Sequence, residues 1–304
     1  MTELVMPHAD VVFRQLAAGE EDLFDSMPDP LPELRQVGYA DGIAGGGYVP
    51  ERTWVAIRDG KVVARAAWLL PPGSSGSPWL ERFDLAAEAE VGAALLRRAH
   101  EALGGPQKYY AALPAHWRRR PEVLAVAGPR LEAARLAGLT EGGERVRFSW
   151  AGTPLPEASG RYTVRPATDA AEINALVARI AEPDVLTGAE IAQAAGGVDL
   201  AADPLAWFRG PVGNWLVALD GGEPAGLAGT AGDVCYPMLG YLGLLDPGAR
   251  GDLLVEAVRV LEAGGAREVV ADVDAHRVRV LAELERTGFR RLRCRILFEP
   301  AEVH

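Results

Sequence analysis

Apolar and polar positions alternate with period two in short segments and with helical period in longer ones, and the whole arrangement occurs twice along the chain. WVAIRDGKVVARA (54–66) reads as a strand, a Gly-containing turn and a second strand, and LVALDGGEPAGLA (216–228) aligns with it without gaps. EVGAALLRRAHEALGG (90–105) and RGDLLVEAVRVLEAGG (250–265) are amphipathic helices stopped by a glycine pair. Short buried strands follow, PQKYYAAL and AREVVADV, and then helices ending in Gly plus an apolar residue, RLEAARLAGL and VLAELERTGF. Each half closes on an arginine-rich strand, ERVRFSW or RRLRCRILF. The openings agree too, VFRQLAAGEEDL (12–23) against TVRPATDAAEIN (163–174).

Two copies at this spacing mean duplicated domains rather than a solenoid, which needs shorter and more numerous units. TPLPEASG (153–160) reads as the linker, so the expected domains are residues 1–152 and 153–304. The predicted class is α+β, each domain a mixed, mostly antiparallel sheet flanked by helices.

Composition narrows the possibilities. With 304 residues, 49% hydrophobic and 24% charged, the chain is an ordinary globular one with room for two cores. A net charge of −11 argues against nucleic acid as the main partner. No stretch approaches the roughly 20 apolar residues of a membrane helix. MTELVMPHADVVF lacks the marks of a signal peptide, and two cysteines, Cys235 and Cys294, suit a reducing cytoplasm. Residues 1–152 carry a net −3 and the remainder −8, which matters for any anionic ligand of the second half.

TVRPATDAAEI, the central hairpin DGGEPAGLAG and the helix end ELERTGF resemble the GNAT superfamily of N-acyltransferases. The resemblance spans about residues 161–298 and reaches the first half through the repeat, giving a tandem GNAT form. It implies acyl transfer from a pantetheine thioester to an amine. In that family the fourth strand supplies backbone groups to the pantetheine arm, and a following Arg- and Gly-rich turn holds the donor pyrophosphate. YPMLGYLGLL is the matching strand, with Leu244 and Leu245 as pantetheine neighbours and unpaired amides expected just past Leu245.

The turn DPGARGDLL keeps Arg250 and Gly251, but Leu253 and Val255 stand where glycines are expected. A side chain there blocks close approach of backbone to phosphate. Asp252 can cap the helix and would repel a pyrophosphate, so GLLDPGARGDLLVEAV is either an ordinary capped turn or a weakened donor site comprising Arg250, Gly251, Asp252 and Leu253. The first copy has DLAAEAEVGAAL at this place, with Glu88 and Glu90 opposing phosphate, so the second copy is the expected donor holder.

Acyl transfer needs a neutral amine, donors aimed at the developing oxyanion and a proton for the thiolate. The resemblance implies a strand carboxylate as base and a helix tyrosine as acid, yet Pro237 and Leu284 occupy those places. Candidate replacements are Tyr241, which shares a strand face with Gly243, Asp233 in the preceding loop beside Tyr236, and His276 of DVDAH. Tyr241 could equally be a core aromatic, and Asp274 a helix cap. Asp272, Asp274 and His276 as a metal site lack an evident fourth ligand, so no metal is expected.

HWRRRP (116–121) and RTGFRRLRCR (286–295) concentrate positive charge. They are either solvated surface or a docking patch, formed by Arg118, Arg119 and Arg120 or by Arg290, Arg291 and Arg293, for an acidic carrier protein. The donor is then acetyl-CoA or another acyl-CoA, or an acyl-phosphopantetheine on such a carrier. The acceptor is the amine of a small molecule, possible settings include natural-product biosynthesis, and the competing reading is a catalytically inactive binding or scaffold module. DGIAGGGYVP and PPGSSGSP read as loops, since neither has the flanking strand and spacing that a dinucleotide fingerprint or a nucleophile elbow requires.

Overall fold

The structure, a computed structural model, describes residues 10–34, 38–211, 214–232 and 237–301. In chain order the first half contains β1 (Val11–Gln15), α1 (Glu21–Asp25), α2 (Tyr39–Ala44), β2 (Thr53–Arg58), β3 (Lys61–Leu69) and β4 (Trp79–Leu85). It continues with α3 (Ala89–Ala102), β5 (Tyr109–Pro114), α4 (Pro121–Leu136) and β6 (Leu139–Trp150). The second half has β7 (Thr163–Pro166), α5 (Ala170–Val177), β8 (Val185–Leu186), α6 (Ala189–Gly196), α7 (Pro204–Trp207), β9 (Trp215–Asp220) and β10 (Glu223–Ala231). It closes with β11 (Met238–Leu244), α8 (Arg250–Ala263), β12 (Val269–Asp274), α9 (Val278–Arg286) and β13 (Arg290–Pro300).

The hairpins form where the alternation predicts them. Asp59 and Gly60 turn β2 into β3 at φ 51° and 72°, and Gly221 and Gly222 turn β9 into β10 at φ 59° and 98°. Positive φ at both central residues gives the mirror-image turn whose twist matches the flanking strands.

The chain divides into two compact units, Met1–Gly143 with Arg293–His304, and Glu144–Leu292. Their boundaries differ from the sequence halves because the closing strands are exchanged. Residues 293–298 of β13 pair antiparallel with β5 in unit 1, and residues 145–150 of β6 pair antiparallel with β12 in unit 2. The strand order is β1-β2-β3-β4-β5-β13 in unit 1 and β6-β12-β11-β10-β9-β7 in unit 2, where β8 adds to β11. Only β4/β5 and β11/β12 run parallel among the described pairings, so both sheets are mixed and mostly antiparallel. Unit 1 builds one core around Leu16, Phe24, Tyr39, Val55 and Ala67, and unit 2 builds another around Ile173, Leu176, Trp215, Leu227 and Tyr241.

The same irregularity prepares a slot in each unit. In unit 1, Ala67 faces Arg82 while Trp68 faces Leu80, which leaves Glu81 unopposed. In unit 2, Gly229 faces Tyr241 while Thr230 faces Leu239, which leaves Gly240 unopposed. Such a bulge bends a strand away from its neighbour. The parallel pairs accordingly meet at one position each, Leu80 with Tyr109 and Met238 with Val270, and then part.

Candidate functional site

The slot of unit 2 lies between β11 and β12, and the protein's own chain fills it. Residues 184–188 run antiparallel to β11, with Leu186 opposite Tyr241 and Val185 opposite Leu242. The Asp184 amide donates to Leu242 O at 2.6 Å and the Thr187 amide to Gly240 O at 2.9 Å. The buried Thr187 hydroxyl donates to Leu239 O and accepts from the Asp272 amide at 3.0 Å. The Gly188 amide reaches Asp272 Oδ2 at 3.2 Å, and Arg145 Nη1 reaches Leu186 O at 3.0 Å. Both edges of the inserted segment are therefore bonded, each bond contributing about 1 kcal/mol.

Asp184 anchors the outer end. Its buried carboxylate accepts from Arg250 Nε at 2.7 Å and from Arg277 Nη1 at 3.0 Å, while Arg277 Nη2 also pairs with Glu182 at 2.7 Å. Arg250, expected to meet a donor phosphate, is committed to a carboxylate of its own chain. The rest of the turn is equally occupied. The amides of Leu245 and Asp246 both donate to Ala225 O, at 2.9 and 2.8 Å, and those of Gly248 and Ala249 go to Asp246. The open amides expected past Leu245 are thus paired at Leu245, Asp246, Gly248 and Ala249, and Pro247 has no amide to offer.

Asp252 does not cap its own helix, because its buried carboxylate accepts the Ser159 amide at 2.7 Å and the Ser159 hydroxyl at 2.6 Å. Leu253 is a core residue, Leu244 and Leu245 are half-buried, and Gly251 sits in the first turn of α8 with Glu283 nearby. Asp246, through its bond from Tyr162 and then from the Gly248 amide, has a lowered pKa and places a carboxylate at the helix start. Within GLLDPGARGDLLVEAV, the amides of Leu245, Asp246, Gly248 and Ala249 and the Arg250 guanidinium all have partners in the chain itself.

Tyr241 lies in the core rather than the cleft, fully buried with its ring centroid 5.7 Å from that of Trp215. Its hydroxyl has no partner among the described residues, and burial raises its pKa. His276 is exposed in the turn after β12. Asp272 is gripped by Arg147 at 2.7 and 2.6 Å and Asp274 by Arg145 at 2.8 Å, so those carboxylates serve β6. Asp233 and Tyr236 lie outside the described residues, as does Cys235, while Leu284 is buried. In the basic runs, Arg120 is taken by Glu33 and Glu122 at 2.8 Å each, Arg291 by Glu285 at 2.7 Å, and Arg118 stacks on Trp117.

Asp184 and Thr187 escaped sequence reading because a two-residue strand has no period to detect. Another feature that composition hides is a cavity of about 270 Å³ at the start of β11, walled by Trp207, Phe208, Arg209, Asn214, Trp215, Thr230 and Met238. Gly240 is required beside it, since a Cβ there would come within 2.8 Å of the Phe208 ring.

No family model matches the chain, and no curated protein matches it in sequence. Its architecture does have solved counterparts. A GCN5-related N-acetyltransferase from Sphaerobacter thermophilus superposes at TM-score 0.59 with 14% identity, covering 95% of this chain and 95% of the other. The fold is that of the GNAT N-acetyltransferases. A tandem GNAT protein from the clavulanic acid biosynthesis pathway covers 97% of this chain and 99% of its own at 15% identity, with a TM-score of 0.47. The GNAT resemblance read from the hairpins and helix ends therefore holds for the fold of the whole chain. Among the described residues, no helix is long and apolar enough to cross a membrane.

Proposed function

We propose that the protein is an N-acyltransferase that moves an acyl group from a pantetheine thioester to the amine of a small molecule, and that its donor must first displace residues 184–188. The observation that carries this reading is what the unit 2 slot already holds. The segment begins with an anionic group on Arg250, continues as an extended chain whose amides bond Leu242 O and Gly240 O, and ends at the bulge. A phosphopantetheine arm has the same order of parts, a phosphate, two amides and then the thioester. The slot thus binds an extended amide-bearing chain with an anionic end, supplied here by the protein itself.

The donor would exchange with the segment on shared partners, its phosphate taking Arg250 and Arg277 from Asp184. Once the segment leaves, Gly240 O and Leu242 O are free to accept from pantetheine amides. Acetyl-CoA or another acyl-CoA and an acyl-phosphopantetheine on a carrier protein both satisfy this chemistry. The acceptor fits the cavity beside the bulge, where Trp207, Phe208 and Trp215 suit an apolar body and Arg209 an anionic group. With Tyr241 in the core, holding the amine against the thioester supplies the rate that no acid at that position provides.

A specific observation also favours a second reading, a non-catalytic GNAT-fold module. The segment is bonded along both edges, and a permanently closed slot would serve binding through the cavity alone. Calorimetric titration with acetyl-CoA separates the two, using the parent chain and an Asp184→Ala, Thr187→Ala double variant. Weak binding to the parent that tightens about tenfold or more in the variant supports the transferase. Absence of binding to either, and of acyl transfer from an acylated carrier, leaves the module.

A further inference from the structure

The cavity at the start of β11 in unit 2 is walled by three aromatic rings, and each is seated against a glycine. Trp207 packs on Gly196, the last residue of α6, where a Cβ would lie 3.3 Å from its ring. A Cβ at Gly229 of β10 would come within 2.7 Å of the Trp215 ring, and one at Gly240 of β11 within 2.8 Å of the Phe208 ring. Those last two glycines are the residues at the bulge, and Trp215 and Phe208 are buried. Rings fixed in this way lose little freedom when a ligand enters, and they favour a flat aromatic partner in offset or edge-on contact. The volume is about 270 Å³. A cavity of roughly 150 Å³ already takes benzene, so one ring with small substituents fits.

Polar groups gather at one rim of this cavity. Arg209 is exposed and Asn214 half-buried, and neither side chain has a partner among the described residues. The Asn214 side-chain amide comes within 3.0 Å of where a Gly210 Cβ would stand, which puts it beside the backbone that follows Arg209. The Thr230 hydroxyl donates to Asn214 O at 3.0 Å and ties this rim to the bulge. A guanidinium beside an amide suits a carboxylate. It is a poor place for an ammonium group, because a nearby positive charge disfavours the charged form. An amine conjugated to an aromatic ring is uncharged near neutral pH. Such an amine escapes that repulsion and can attack without first losing a proton.

We infer, resting on the transferase reading above, that the acceptor is an aminoaryl carboxylate, with its flat ring against Trp207, Phe208 and Trp215, its carboxylate on Arg209 and Asn214, and its ring-bound amine as the group acylated. Attack of that amine on the thioester carbonyl forms the C–N bond and breaks the C–S bond, and the proton that the nitrogen sheds goes to the departing thiolate.

The test is calorimetric titration of the full chain, without donor, with 4-aminobenzoate, aniline and 2-phenylethylamine. The inference expects saturable binding of 4-aminobenzoate, aniline weaker by about tenfold or more, and 2-phenylethylamine the weakest of the three. Arg209→Gln should weaken 4-aminobenzoate by about tenfold or more and leave aniline unchanged. If that variant does not fold, the ranking of the three ligands on the parent chain decides alone. Absence of 4-aminobenzoate binding overturns the inference, as does tighter binding of 2-phenylethylamine or an Arg209→Gln chain that binds 4-aminobenzoate as tightly as the parent. The two readings fail separately. Acyl transfer to other amines by a chain that ignores 4-aminobenzoate overturns the acceptor class and leaves the transferase. Binding of 4-aminobenzoate by a chain that neither binds acetyl-CoA nor takes acyl groups from a carrier overturns the transferase and leaves the aryl-carboxylate site.

Discussion

The two slots begin from the same geometry and are closed by opposite means. Each follows a one-residue slip in the strand before it, and each parallel pair meets at a single position before parting. Unit 2 lays a stretch of main chain into the gap, with amide and carbonyl groups matched along β11 and a carboxylate balanced by Arg250 and Arg277. Unit 1 instead places a single buried side chain at the gap, Arg130, which bonds Ala112 O of β5 and lies 3.6 Å from the Asp84 carboxylate of β4. Matched hydrogen bonds make a closure that another amide-bearing chain can exchange with. One strand order thus accommodates two kinds of closure in the same chain.

Removing the central carboxylate of each slot separates these cases, and unit 1 should respond most. Asp84→Asn removes the buried carboxylate that Arg65, Arg82 and Arg130 share, and urea unfolding should show a loss of about 3–5 kcal/mol. Asp184→Asn leaves Arg277 its bond to Glu182 and Arg250 near the surface, so the loss there should be about 1–2 kcal/mol. Equal losses would mean that the two closures are energetically alike.

Acid should sharpen the contrast next. His100, buried on α3 with neither ring nitrogen partnered among the described residues, has its pKa pushed down to about 4 by burial. An unfolded histidine titrates near 6.5, so between those values the unfolded chain binds a proton that the folded one refuses. Stability from this group is complete above about pH 6.5 and is lost as the pH falls toward 4, by up to about 3 kcal/mol. Urea unfolding from pH 7 down to pH 4 checks this, and His100→Leu should flatten the profile of unit 1.

The smallest effect concerns the bulges. Gly240→Val pushes a branched side chain into the Phe208 ring and should cost about 1–3 kcal/mol by overpacking. Glu81 stands at the matching position of unit 1 with its carboxylate 3.3 Å from Arg295, so Glu81→Val should cost clearly less. Thermal melting of the two variants gives the comparison.

Local pattern made much of the fold legible. The Asp59-Gly60 and Gly221-Gly222 turns, the helices ending in glycine pairs and the duplication itself follow from residue type and spacing. Exchange of the closing strands did not, because ERVRFSW and RRLRCRILF carry the same alternation and either suits either sheet. The occupant of the unit 2 slot was hidden in AEPDVLTGAE, where Val185 and Leu186 are too few to show a period and Asp184 reads as one more loop carboxylate. Tyr241 stays open between core and cleft in the sequence for a related reason. Alternation fixes which face a side chain shares, while only the packing of Trp215 and Ile180 against that face decides whether it is core or cleft. Arg65 and Asp84 did leave a trace, as charges inside otherwise apolar strand runs, but their meeting with Arg130 depends on tertiary contact.

The central claim is that residues 184–188 hold the place of an acyl donor's pantetheine arm. Hydrogen exchange at the Asp184 and Thr187 amides, measured with and without acetyl-CoA, addresses it most directly. The account expects both amides to be protected in the free chain and to lose that protection once the donor is bound. Donor binding that leaves both amides protected would contradict it.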